Sequence, residues 1–218
     1  TLIGGGDVDL LDRSGTLQNP AAASITGTST ADVLENVDNT IGGFGQIGEA
    51  KLSIVNRAGG QIQATQGTLT LDTGPVGGGG SIVNQGVLRA VGFGNLVITG
   101  EVANAGGSIA IGTEGCSIRL HGAAISGGKL DGFGDGIQVD SAGTLLDGTQ
   151  DAVAITRVVS VPPDATLSLR GAIENKGTLA LEGGHSVLSV SGTVTLSGGG
   201  TLALSGADAA VAGASPPA

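Results

Sequence analysis

Acidic side chains are the groups best equipped for chemistry in this chain of 218 residues, and several stand beside glycine. The run Gly4-Gly5-Gly6-Asp7-Val8-Asp9-Leu10-Leu11-Asp12 partly matches the calcium-binding nonapeptide GGxGxDxUx, with Asp7 where the fourth-position Gly belongs. Calcium takes about six to eight oxygen ligands, more than one copy supplies, and no tandem copy follows. The plain alternative is an acidic turn. Asp131, Asp135, Asp140, Asp147 and Asp151 form a denser acidic stretch. Stacked turns that brought Asp131, Asp135 and Asp140 to one face could hold Ca²⁺, or a pair of these carboxylates could serve as acid and base in glycan cleavage. Solvated turns are the alternative here too, so Ca²⁺ is the single cofactor this reading entertains.

The three phenylalanines share one context: Gly43-Phe44-Gly45, Gly92-Phe93-Gly94 and Gly132-Phe133-Gly134. Two readings follow. Each ring folds back from a flexible corner to pack on the core or on another ring, or Phe44, Phe93 and Phe133 form a row of exposed apolar tips for a partner. His121 and His185 lack the paired spacing of a metal site and read as surface or edge residues. Cys116 has no neighbouring His and reads as a small buried hydrophobe. The chain has no GxSxG, Walker or dinucleotide fingerprint, and no catalytic residue is assigned.

Composition narrows the classes further. Nine Lys and Arg oppose nineteen Asp and Glu, a net charge of −10 that disfavours phosphate backbones and anionic membrane surfaces. One cysteine cannot make an internal disulfide. No apolar run reaches the ~18 residues of a membrane-spanning helix. Forty-three glycines without a strict triplet repeat, and only six prolines, exclude collagen. Trp, Tyr and Met are absent while 39% of residues are hydrophobic, so an aromatic-anchored globule and a disordered linker are both excluded.

These residues need elements to position them, and glycine at this density disfavours helices by about 1 kcal/mol per interior Gly. Ser29-Thr30-Ala31-Asp32, inside the glycine-free run 28–41, reads as a cap for one helical turn at most. Short alternating apolar pairs read as strands: Leu52/Ile54, Leu69/Leu71, Leu96/Ile98, Ile109/Ile111, Ile118/Leu120, Ile137/Val139, Leu167/Leu169, Leu179/Leu181, Val194/Leu196 and Leu202/Leu204. A pattern of apolar residue, spacer, Asn, one or two residues, Gly, apolar residue recurs at Asn56, Asn84, Asn104 and Asn175, with Asp140 as a variant. Asn and Gly tolerate left-handed backbone, which makes each copy a corner between strands, and stacked asparagines can hydrogen-bond as a ladder. Strands this short become stable when each lies on its counterpart in the next winding. The expectation is an all-β fold, a single-stranded parallel β-solenoid of about ten coils over 1–206. A weak boundary falls near Pro162-Pro163, and 207–218 reads as a flexible tail or linker.

The segment Leu196-Ser197-Gly198-Gly199-Gly200-Thr201-Leu202-Ala203-Leu204-Ser205-Gly206-Ala207 resembles the autotransporter-associated β-strand repeat. Asn36-Val37-Asp38-Asn39-Thr40-Ile41-Gly42-Gly43-Phe44-Gly45-Gln46-Ile47-Gly48 is similar to a repeat of large bacterial surface proteins. The resemblance implies a right-handed β-helix, exported to the cell surface or beyond as the passenger of an outer-membrane-anchored parent. No membrane-barrel pattern accompanies it, a departure from a full-length autotransporter. The function expected is a non-enzymatic stalk or adhesin, with partners on host or neighbouring cells. A head-to-tail filament of copies of the chain is the alternative. A β-helical polysaccharide lyase or hydrolase ranks lower, because sugar-binding grooves are usually lined by aromatic platforms and clustered Lys and Arg.

Overall fold

A computed structural model describes residues 1–11, 23–140 and 143–213. All regular elements among them are strands, from Asp7–Leu10 to Ala210–Gly213, and every strand pairing is parallel. The chain winds as a β-solenoid of about nine coils, each with three faces. The first face stacks Val33–Asn36, Ser53–Asn56, Ser81–Asn84, Glu101–Ala103 and Ala124–Ser126, and continues to Ala210–Gly213. The second runs from Asp7–Leu10 through Val87–Val91, Ser108–Ile111 and Lys129–Asp131. The third runs from Ser24–Thr26 through Asn95–Thr99, Ser117–Leu120 and Ile137–Val139 to Thr201–Ser205. Longer strands such as Thr40–Gly48 and Gln61–Asp72 bend around the corner between the second and third faces.

Alternation along each strand aims every second residue inward, and stacking in register sets each such residue on its equivalent. On the second face Ile41, Ile62, Leu88, Ile109, Leu130 and Ile155 form one column, all fully buried. Burying a side chain of this kind is worth about 1.5–3 kcal/mol. Eight of the ten apolar pairs read from the sequence lie in this core. The other two, Val194/Leu196 and Leu202/Leu204, belong to the last described coil, where Leu196 and Leu204 are 42% and 48% exposed.

The corner between the first and second faces holds an asparagine ladder. Asn36 Nδ2 donates to Asn56 Oδ1 at 3.0 Å, Asn56 Nδ2 to Asn84 Oδ1 at 2.8 Å, and Asn84 Nδ2 to Asn104 Oδ1 at 2.7 Å. All four side chains are fully buried. The ladder stops at Asn104 because the next register position is Gly127, whose carbonyl accepts from Asn104 Nδ2 at 3.4 Å. The ladder also explains the glycine that follows Asn56, Asn84 and Asn104. A Cβ on Gly60 would lie 2.7 Å from Asn36 Nδ2, and one on Gly107 would lie 2.5 Å from Asn84 Nδ2. Neither glycine has positive φ. At these two positions the requirement is space, not left-handed backbone.

Several expectations need correction. Asp140 and Asn175 belong to different corners: Asp140 follows Ile137–Val139 on the third face, and Asn175 ends Thr166–Asn175 on the second. Asn36, outside the pattern as read, starts the ladder. Residues 28–32 make a non-helical turn held from its far side, where Asp32 Oδ2 accepts from the Thr28 and Ser29 N–H groups at 2.7 and 3.1 Å. Pro162-Pro163 is an ordinary corner, with Val161 and Ala165 of one continuous core on either side. The winding also enters the stretch read as a tail, since Ala210–Gly213 pairs with residues 187–190.

Asn84→Ala would leave Asn104 Oδ1 without its donor inside the corner and take the shortest acceptor from Asn56 Nδ2, which keeps the Gly60 carbonyl at 3.2 Å, and is expected to cost about 1–3 kcal/mol. Gly107→Ala should cost about 1–3 kcal/mol by pushing on the same ladder. Urea unfolding of the two variants checks both.

Candidate functional site

The acidic candidates are distributed over the rod, and Asp131, Asp140 and Asp147 have partners. In the nonapeptide-like run, Gly4 and Gly5 donate their N–H groups to Asp38 Oδ1 at 2.8 and 3.1 Å, and Gly6 donates to Asn39 Oδ1 at 2.8 Å. These glycines tie the first coil to the second. Asp7 and Asp9 stand on Asp7–Leu10, and Asp12 lies outside the described residues. Asp131 ends a second-face strand, Asp135 lies in the following corner and Asp140 in the corner after the third face. Lys129 Nζ stands 2.9 Å from Asp131 Oδ2. Arg157 Nε stands 3.0 Å from its Oδ1, an ionic contact without hydrogen-bond alignment. Asp140 Oδ1 lies 3.0 Å from His121 Nδ1. The three aspartates named as candidates for one calcium ion are therefore not brought together. Among the described residues no three His, Cys, Asp or Glu side chains converge as metal ligands.

A shallow concavity of about 370 Å³ crosses the first face. Small residues, Ala103, Ala124 and Ser126, make its floor, and Val76 from the insertion after Gln61–Asp72 overhangs it. Gly77 N–H donates to Glu101 Oε1 at 2.9 Å, which pins that insertion across the coils. At the far end Arg170 hydrogen-bonds Asp147, and Asp147 Oδ1 also accepts from Thr149 N–H at 3.0 Å. The Arg170 guanidinium holds the Asp147 carboxyl down from its ordinary 3.8 to about 2. A carboxyl this acidic stays ionised near neutrality and does not donate a proton as a general acid. The groove is a shaped surface in which Arg170 holds Asp147 as a carboxylate.

The phenylalanines do share an edge. Phe44, Phe93 and Phe133 all occupy the corner between the second and third faces, on alternate coils. Their surroundings differ. Phe44 is 5% exposed and covers Gly67, where an added Cβ would lie 3.0 Å from Phe44 Cβ. Phe93 is 75% exposed, and its ring edge lies over Gly115. Phe133 is partly buried against the core, with the Arg157 guanidinium 4.8 Å from its ring centre. Each ring therefore meets the corner of the following coil. Phe44 and, in part, Phe133 pack on the rod, whereas Phe93 stands exposed. The Gly-Phe-Gly repeat pointed to this edge, but nothing in the sequence announced Arg157 as the partner of Phe133.

The remaining candidates fall on the corners. Asp164, His185 and Asp208 stack on successive coils with φ of 61°, 59° and 67°. The two His185 nitrogens lie 3.6 and 3.9 Å from these carboxylates, and all three side chains are exposed. Cys116 is half-buried, 3.2 Å from Thr113 Oγ1. No family model matches the chain, and neither a curated protein nor a solved structure gives a match to it.

Two outcomes are expected. Asp147 has a lower pKa folded than unfolded, so its contribution is fully present above about pH 4 and is lost as pH falls toward 2. Half-exposed Arg170 moderates that contribution to about 1–2 kcal/mol. Arg170→Ala should flatten the acid limb of stability followed by urea unfolding from pH 6 to pH 2. In the same assay Phe44→Ala should cost about 3 kcal/mol and Phe93→Ala under about 1 kcal/mol.

Proposed function

We propose that this chain is a structural or adhesive segment of an exported bacterial surface protein, a non-catalytic rod that carries its corners and loops away from a cell. The observation that carries this reading is one continuous core and one in-register stack through about nine coils. At about 4.8 Å per coil the rod is about 43 Å long. The repeat-like segments 36–48 and 196–207 support the autotransporter-passenger form of the reading, with an extracellular or surface location and partners on host or neighbouring cells. The charge of −10 favours solubility outside a cell and keeps the rod from anionic membranes and nucleic acid. The reading requires no cofactor.

A second reading is a self-assembling filament subunit, in which a coil of another copy stacks on an end coil in the same parallel register.

Immunogold labelling of intact source bacteria tests the first reading. Label at or beyond the outer surface, removed by external protease, is the expected outcome; protection from protease until lysis contradicts it. Sedimentation across a hundredfold concentration range separates the second reading, which requires a growing oligomer series.

A further inference from the structure

The edge that carries the phenylalanines has the makings of a recognition site, an inference that goes beyond the rod reading and stands without it. Phe93 occupies a costly position. Gly92 and Phe93 have φ of 57° and 68°, and Gly94 N–H donates to the Val91 carbonyl at 2.9 Å. This is a type I′ turn, whose second central position favours Gly or Asn. A bulky residue there is strained, and this one also leaves three quarters of its surface in water.

On the other side of the Gly115 corner lies a concavity of about 390 Å³. Its lining includes Phe133, Cys116, Thr113 and two acidic residues, Glu114 and Asp135. Among the described residues neither carboxylate pairs with a Lys, Arg or His. The molecule itself shows what this combination attracts. At the same ring, Arg157 lies over Phe133 and is ion-paired to Asp131. The concavity repeats that chemistry, an aromatic ring beside carboxylates, with its acids free of a cation from this chain. Cations favour aromatic faces, and more strongly where carboxylates stand close.

We propose that this edge binds a basic segment of a partner protein, with an Arg or Lys side chain entering between Glu114 and Asp135 against Phe133 and an adjoining apolar residue packing on Phe93. The surplus of negative charge on the chain steers such a segment toward the rod, and the ring and the two acids give it a place to dock.

The test is an NMR titration of the whole chain with the capped peptide Leu-Arg-Leu-Arg, and with the same peptide carrying neutral citrulline for Arg. Arg peptide should shift resonances of residues 92–94, 113–117 and 133–136, and citrulline peptide should not bind. Glu114→Gln combined with Asp135→Asn should weaken binding about tenfold. Phe93→Gly should also weaken it while leaving the melting temperature equal or higher, because the turn is relieved. A control pair, Asp151→Asn with Glu182→Gln, removes the same charge elsewhere and should leave affinity unchanged. Equal weakening by the control pair would reduce the effect to overall charge and overturn the proposal. So would equal binding of the citrulline peptide. Self-association without peptide, abolished by Phe93→Gly, would give the edge to a second copy of the chain and overturn it as well.

Discussion

Consecutive coils must lie over each other in register at the spacing of a parallel β-ladder, about 4.8 Å, and the rest of the molecule follows from that constraint. Any side chain at a corner is judged by what lies one coil above and below it. Asn36, Asn56, Asn84 and Asn104 satisfy the constraint by bonding to one another. Gly60 and Gly107 satisfy it by having no Cβ to meet those amides. Unpaired, each buried amide would cost about 1–3 kcal/mol, so the ladder and its glycines stand or fall together.

The same constraint decides where chemistry can and cannot gather. A solenoid sets residues of different coils side by side when they share a register, whereas a few residues further around one coil the chain has turned onto another face or corner. Asp131, Asp135 and Asp140 are close in sequence but occupy a face and two different corners. Asp147 and Arg170 are 23 residues apart and touch because they occupy one register on adjacent coils. The phenylalanines follow the second rule, since their spacing returns each to one edge on every second coil.

The fold class was legible because it rests on local patterns: period-two apolar pairs, glycine density and the recurring Asn–Gly corner. Leu69/Leu71 and Ile118/Leu120 needed no more than alternation to be placed in the core. Register was not legible. The corner pattern around Asp140 and Asn175 resembles that around Asn84, yet a three-faced coil has three corners, and only stacking distinguishes them. The surface was least legible of all. The Arg157–Phe133 contact and the pinning of the 73–80 insertion by Glu101 join residues more than twenty positions apart, with no motif to mark them.

Register itself is open to a direct chemical measurement. With Cys116→Ser as background, Val55→Cys and Val83→Cys are outward-facing register partners on adjacent coils of the first face. Parallel neighbours lie well inside the ~4.4–6.8 Å Cα range of a disulfide, whereas pairing Val55→Cys with Gln85→Cys shifts one partner by two residues and exceeds it. The account predicts rapid oxidation of the 55/83 pair to an intramolecular disulfide and none for the 55/85 pair. Failure of 55/83 to close, or equal closure of both pairs, would contradict the stacked, in-register winding.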